Sequence, residues 1–261
     1  MADNHLSGTV PDNWDVLSDL RHVRLERNEL RGTLPFSMGY LEKLTDLDMS
    51  DNRFTGSLPD EWDGLSSLRS LRLGGNALSG TIPPGLLDGL PFLRHLHLQD
   101  NELTGEIPAS VGNVGNTLRE LRLEGNRLGG SVPNVLGYLG RLEVLLLGGN
   151  DFTGTIPESL GKLENLQTLT LHGNNLSGTV IPPTFDKMRQ LVRLELQFNN
   201  LTGRVAPEIC TALKSLKAFS ADCAGDAPLV VCTCCTLCCD GGDDRSCRGM
   251  TEEHDDDDDG G

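Results

Sequence analysis

At 261 residues the chain is long enough for one or two domains around a continuous buried core. Its 22 basic and 38 acidic side chains leave a formal charge of −16, which argues against a nucleic-acid partner held through phosphates. No run approaches the roughly 18 apolar residues of a membrane-spanning helix, and Met1-Ala2-Asp3-Asn4-His5 lacks the charged-then-apolar plan of a secretory signal.

From the first residues one phrase recurs: Asn, any residue, Leu or Phe, any residue, Gly. Its Asn column runs Asn4, Asn28, Asn52, Asn76, Asn101, Asn126, Asn150, Asn174 and Asn199, in steps of 24 or 25. A Gly column from Gly8 to Gly203 and a Pro column from Pro11 to Pro207 keep pace. Before each Asn, alternating apolar pairs such as Leu71/Leu73, Leu121/Leu123 and Leu145/Leu147 predict a short strand with one face on a core. The Asn amide is suited to satisfying main-chain groups of adjacent turns. Gly then permits an unusual backbone conformation, and Pro marks the turn onto the outer face. Apolar residues spaced by threes, as in Leu160, Leu163 and Leu166, predict a 3₁₀ or helical turn there.

The pattern L-x-x-L-x-L-x-x-N-x-L-x-G-x-I/V/L-P resembles the plant-type leucine-rich repeat over residues 1–219. That resemblance implies an α/β repeat fold: a right-handed solenoid with a parallel β-sheet on the concave face and short 3₁₀ or helical turns on the convex face. Receptor-like ectodomains and polygalacturonase-inhibiting proteins share the repeat, so it also implies a protein, peptide or glycan ligand bound across the concave sheet.

The columns flanking the strand leucines are the ones such a sheet exposes. Arg24, Asp48 and Arg72 form a ladder of opposite charges that satisfy one another. Val144 and Leu146 interrupt the polar columns beside Gly148 and Gly149, predicting an apolar opening between Arg122 and Thr170. The candidate partner-binding residues are His95, His97, Gln99, Arg122, Glu124, Val144, Leu146, Thr170 and His172. His95 and His97 lie on one strand face near Asp100, with His172 roughly 14 Å away by strand spacing; two His without a close third ligand predict no metal site.

All eight cysteines follow residue 209: Cys210, Cys223, Cys232, Cys234, Cys235, Cys238, Cys239 and Cys247. Residues 210–247 are read as a separate cross-linked cap covering the last hydrophobic edge of the solenoid. Four disulfides are the expectation, with no connectivity selected; Cys232-x-x-Cys235 and Cys235-x-x-Cys238 also have zinc-ligand spacing. The stretch from Ala221 to Cys239 is similar to the cysteine-rich end of leucine-rich-repeat proteins of diatoms and related algae, which implies secretion or a cell-surface location. Asn175-Leu176-Ser177 and Asn200-Leu201-Thr202 are glycosylation sequons that support it. Against it stands the absent signal, from which a start truncated within a repeat is expected. Residues 248–261 form an acidic tail, read as disordered, in which Glu252, Glu253 and Asp255 to Asp259 offer weak cation binding.

No G-x-S-x-G, H-E-x-x-H, Walker or dinucleotide motif occurs; Ser159-Leu160-Gly161-Lys162 belongs to the repeat, and Asp46 and Asp48 have no evident cleft. The expectation is a non-catalytic extracellular recognition module without a cofactor. Two alternatives stand beside it: a structural or adhesive surface component, and an intracellular scaffold with a zinc-bound cysteine cluster.

Overall fold

A computed structural model describes residues 2–224 and 229–239, together with the backbone of 248–249. The alternating leucine pairs form the strands of an eleven-stranded sheet: β1 (His22–Arg24), β2 (Asp46–Asp48), β3 (Ser70–Arg72), β4 (His95–His97), β5 (Glu120–Arg122), β6 (Val144–Leu146), β7 (Thr168–Thr170), β8 (Arg193–Glu195), β9 (Ala218–Ala221), β10 (Leu237–Cys238) and β11 (Arg248–Gly249). Sequence neighbours are spatial neighbours and pair in parallel through β10; β11 closes the sheet antiparallel. The middle residue of each strand points inward, so that Leu121, Leu145 and Leu169 stack in register in the core. The remaining apolar positions of each repeat join them in one continuous cluster from Val23 to Cys238.

On the far side, seven 3₁₀ turns and two short helices, Pro84–Asp88 and Pro207–Ala212, carry the outer segment among the described residues. Between the two faces lies a second layer that the leucine pattern did not predict. Residues after each Asn pair in parallel as a six-stranded sheet from Ser7–Thr9 to Arg127–Leu128 and a four-stranded one from Thr153–Gly154 to Val230–Val231, joined by a bridge from Ser131 to Thr153. The Gly column makes this close packing possible. Gly105, at φ +79°, has the Thr81 γ-methyl group where its own Cβ would stand.

The Asn column performs the expected task. The Asn126 amide donates to the carbonyls of Leu98 (3.0 Å), Leu123 (3.0 Å) and Glu124 (3.4 Å), and its oxygen accepts the Leu103 N–H at 3.0 Å. One side chain thus ties its own turn to the one before.

The cysteine-rich segment is built onto the solenoid and extends both sheets. Val230–Val231 pairs with the strand Asn200–Arg204, and β10 pairs with β9. Disulfides join Cys210 to Cys234, Cys223 to Cys238 and Cys232 to Cys235; Cys239 is also disulfide-bonded. Cys232 and Cys235, the zinc-like pair, are therefore bonded to each other. Cys247 and the acidic tail, read as disordered and weakly cation-binding, lie outside the described residues.

Asp222 closes the repeat ladder. In the preceding repeat, Gly173 and Asn174 donate their N–H groups to the backbone carbonyls of Gln197 and Phe198. One repeat later, Phe198 and Asn199 donate to the buried Asp222 carboxylate instead, at 2.8 and 3.1 Å. Asp222→Ala removes the acceptor of both and is expected to cost about 2 kcal/mol or more, read as a lower melting temperature by circular dichroism. An unchanged temperature would mean that the end of the ladder needs no substitute acceptor.

Candidate functional site

The concave sheet presents one hollow that joins most of the candidate residues. β5 contributes Arg122, β6 contributes Val144 and Leu146, β7 contributes Thr168 and Thr170, and β8 contributes Arg193 and Glu195. Beyond the strand ends, Glu124, Asp100, Gly148, Gly149 and His172 complete a cavity of about 570 Å³. The hollow exists because β6 is followed by two glycines: Gly148 has no side chain, and the His172 ring from the next repeat occupies the space its Cβ would fill. Val144 and Leu146 are half-buried and form the apolar floor.

Six of the nine candidate residues meet here: Arg122, Glu124, Val144, Leu146, Thr170 and His172. The other three lie to one side. Gln99 folds over Gly74 as His172 does over Gly148. His97 is buried, with Nε2 2.9 Å from Glu120 Oε2, and His95 stands edge-on to it at 6.2 Å between ring centroids. Among the described residues no cluster of three or more His, Cys, Asp or Glu is placed to hold a metal ion. Thr168, Arg193 and Glu195 were not singled out from the sequence, and Asp100 was named only for its nearness to His95 and His97. Their only signal was membership of the columns beside Gly148 and Gly149.

Charge in the hollow is unevenly compensated. Arg122 donates to Glu120 at 2.9 and 3.2 Å, and Arg193 lies 3.3 Å from Glu195, which also faces His172 Nδ1 at 3.3 Å. Both arginines are therefore matched by carboxylates of their own strands. Glu124 is different. Its Oε2 is buried without a hydrogen-bond partner among the described residues, and burial, with a smaller contribution from Asp100, holds its carboxyl above the usual carboxylate range.

Burial and then the Arg122 charge push His97 down to about 4. The folded chain thus favours the neutral ring, and its contribution to stability is complete above the ordinary value near 6.5. It is lost as pH falls through about 4. Acid unfolding in a pH series is expected to shift to lower pH in His97→Gln, which keeps a donor for Glu120. An identical acid transition in both proteins would remove His97 from the account.

A leucine-rich-repeat family model matches residues 18–78, 116–176 and 141–201, and a second one matches residues 92–114. Among solved structures, the ectodomain of the Arabidopsis receptor kinase HAESA, in complex with the peptide hormone IDA and the co-receptor SERK1, is 28% identical over 95% of this chain, with a TM-score of 0.79. The plant peptide hormone receptor RGFR1, in complex with RGF2, is 30% identical over 88%, with a TM-score of 0.65. This chain spans 42% and 43% of those two proteins. A plant ice-binding protein is 27% identical over 89% of this chain and 74% of its own, with a TM-score of 0.70. A search of curated protein sequences returns no match. No helix among the described residues is long and apolar enough to cross a membrane. The repeat columns, the two-layered parallel sheets and the family models agree, and the chain belongs to the leucine-rich-repeat family.

Proposed function

We propose that this protein is a non-catalytic, extracellular recognition module whose ligand is a peptide or protein segment seated in the Val144/Leu146 hollow. The observation that carries the reading is the hollow itself, an apolar floor with Glu124 at its edge, whose buried Oε2 has no hydrogen-bond partner among the described residues. It favours a ligand that presents a basic side chain to Glu124 and Asp100 and an aliphatic one to Leu146. The disulfides support an oxidising compartment, and the peptide-bound receptor ectodomains of the same fold support a peptide ligand.

Selection of a random peptide library on the intact protein tests this. Enriched sequences are expected to pair Lys or Arg with a neighbouring aliphatic residue. Glu124→Gln is expected to weaken their binding about tenfold, or ~1.4 kcal/mol. Because the Glu124 carboxyl titrates above the usual range, affinity is also expected to fall early on acidification. Enrichment of acidic peptides, or of peptides indifferent to Glu124, would remove the assignment.

One observation favours a second reading. Thr55, Thr104, Thr153, Ser177 and Thr202 repeat along the second layer, each hydroxyl donating to a glycine carbonyl of the repeat before at 3.3–3.5 Å. Strand spacing places Thr153, Ser177 and Thr202 about 4.8 Å apart, a short row of hydroxyls suited to ordered water, which Gly129 interrupts before Thr104. Thermal hysteresis of the purified protein, abolished by Thr104→Lys and Thr153→Lys together and unaffected by Leu146→Asp, would favour that face over the concave one.

A further inference from the structure

We infer that Asn200 carries an N-linked glycan whose first sugar is seated on the Phe198 ring, in a cavity built by the last two Asn repeats. The inference rests on the extracellular reading, since the modification requires passage through a secretory compartment.

Two sequons stand at equivalent places in consecutive repeats. Asn175 opens the strand Asn175–Thr179, Asn200 opens the strand Asn200–Arg204, and the two strands pair in parallel. Both asparagines are exposed. The residue two places earlier has nearly the same backbone in each: Gly173 at φ +61° and Phe198 at φ +59°. What differs is the side chain at that place, together with Ser177 against Thr202 two residues after the asparagine.

A bulky residue at positive φ is unusual, and it persists only where the surroundings hold it there. The ladder holds this one: Phe198 and Asn199 both donate to the Asp222 carboxylate. Fixed in this way, Phe198 lines a cavity of about 440 Å³ together with Asn174, Asn175, Asn199 and Asn200. Its half-buried ring offers an apolar face beside the Asn200 amide. The C–H face of a pyranose packs on such a ring, and its acetamido and hydroxyl groups meet the amides around it. Asn175 borders the same cavity but has glycine, not an aromatic ring, two places before it in its own turn.

The test is site-resolved glycopeptide mass spectrometry on the full chain, secreted behind an added leader from a host that performs N-glycosylation. Asn200 is expected to be occupied more completely than Asn175. Phe198→Gly, which suits the backbone because glycine stands there in the preceding repeat, is expected to lower Asn200 occupancy to the Asn175 level. Phe198→Tyr is expected to preserve it. Enzymatic removal of the glycan is expected to lower the melting temperature of the native protein more than that of Phe198→Gly. A secreted chain with paired cysteines and an unmodified Asn200, or one whose occupancy ignores Phe198, overturns the seat and leaves the extracellular reading standing. A chain retained with free thiols counts against both.

Discussion

Leu145→Asp is expected to abolish the cooperative fold, whereas Leu146→Asp, one residue along, leaves stability within about 1 kcal/mol and removes ligand binding. The two leucines occupy opposite faces of β6. Leu145 is fully buried between Leu121 and Leu169 in register. Replacing it loses the packing of a leucine, about 2–5 kcal/mol, and leaves a charge in an apolar stack with no partner, which costs more again. In a solenoid each repeat is stable only through its neighbours, so loss at the sixth strand undermines the array on both sides. Leu146 instead lies between Arg122 and Thr170 on the floor of the hollow. An aspartate there meets solvent and the Arg122 guanidinium, so the fold tolerates it while the apolar floor is lost. Denaturant unfolding of the two variants checks the contrast, and equal losses would mean that the strand faces are misassigned.

Asn126→Ala is expected to cost about 3 kcal/mol or more, although the substitution removes no apolar surface. The Leu103 N–H loses its acceptor, and the carbonyls of Leu98 and Leu123 each lose a donor. Most of these groups are buried, and no water replaces the amide within the core. Leu128→Ala, a neighbouring core truncation, provides the scale: a similar loss from both would show that the polar ladder stabilises the stack as much as a buried leucine does. A change below ~0.5 kcal/mol in Asn126→Ala would contradict the role given to the column.

Much of this was legible in the sequence, because each repeat tests the reading of the others. Leu145 and Leu146 differ by one position in a period of two, and eight aligned strand pairs, from Val23/Leu25 to Leu194/Leu196, show which faces the core. The Asn column was readable for the same reason. Much of what escaped was set by residues 23 or 24 positions away. The second layer of strands needs the Thr81 methyl group to sit over Gly105, and nothing local announces it. The hollow was seen as an apolar pair beside two glycines, but its shape depends on His172 reaching back over Gly148. Its charge depends on Arg122 and Arg193 being matched within their own strands, while the buried Glu124 Oε2 has no hydrogen-bond partner among the described residues. Phe198 reads as an ordinary apolar residue until its backbone places it at φ +59° beside a sequon. Asp222 reads as one acid among many until the ladder ends on it. The cysteines announced a cross-linked end, whereas their pairing and their continuation of both sheets are set by contacts between distant turns.

A structural competitor of the proposed site is the N-terminal edge, where Trp14, Leu17, Leu20 and Val23 line an apolar hollow of about 500 Å³ and Val16 is 74% exposed. Titration of a methyl-labelled sample with a library-selected peptide, followed by methyl NMR, separates the two directly. The account predicts shifts at Val144 and Leu146 that saturate with the peptide, with none at Val16, Leu17 or Leu20. Shifts at those three residues with Val144 and Leu146 unmoved would contradict it.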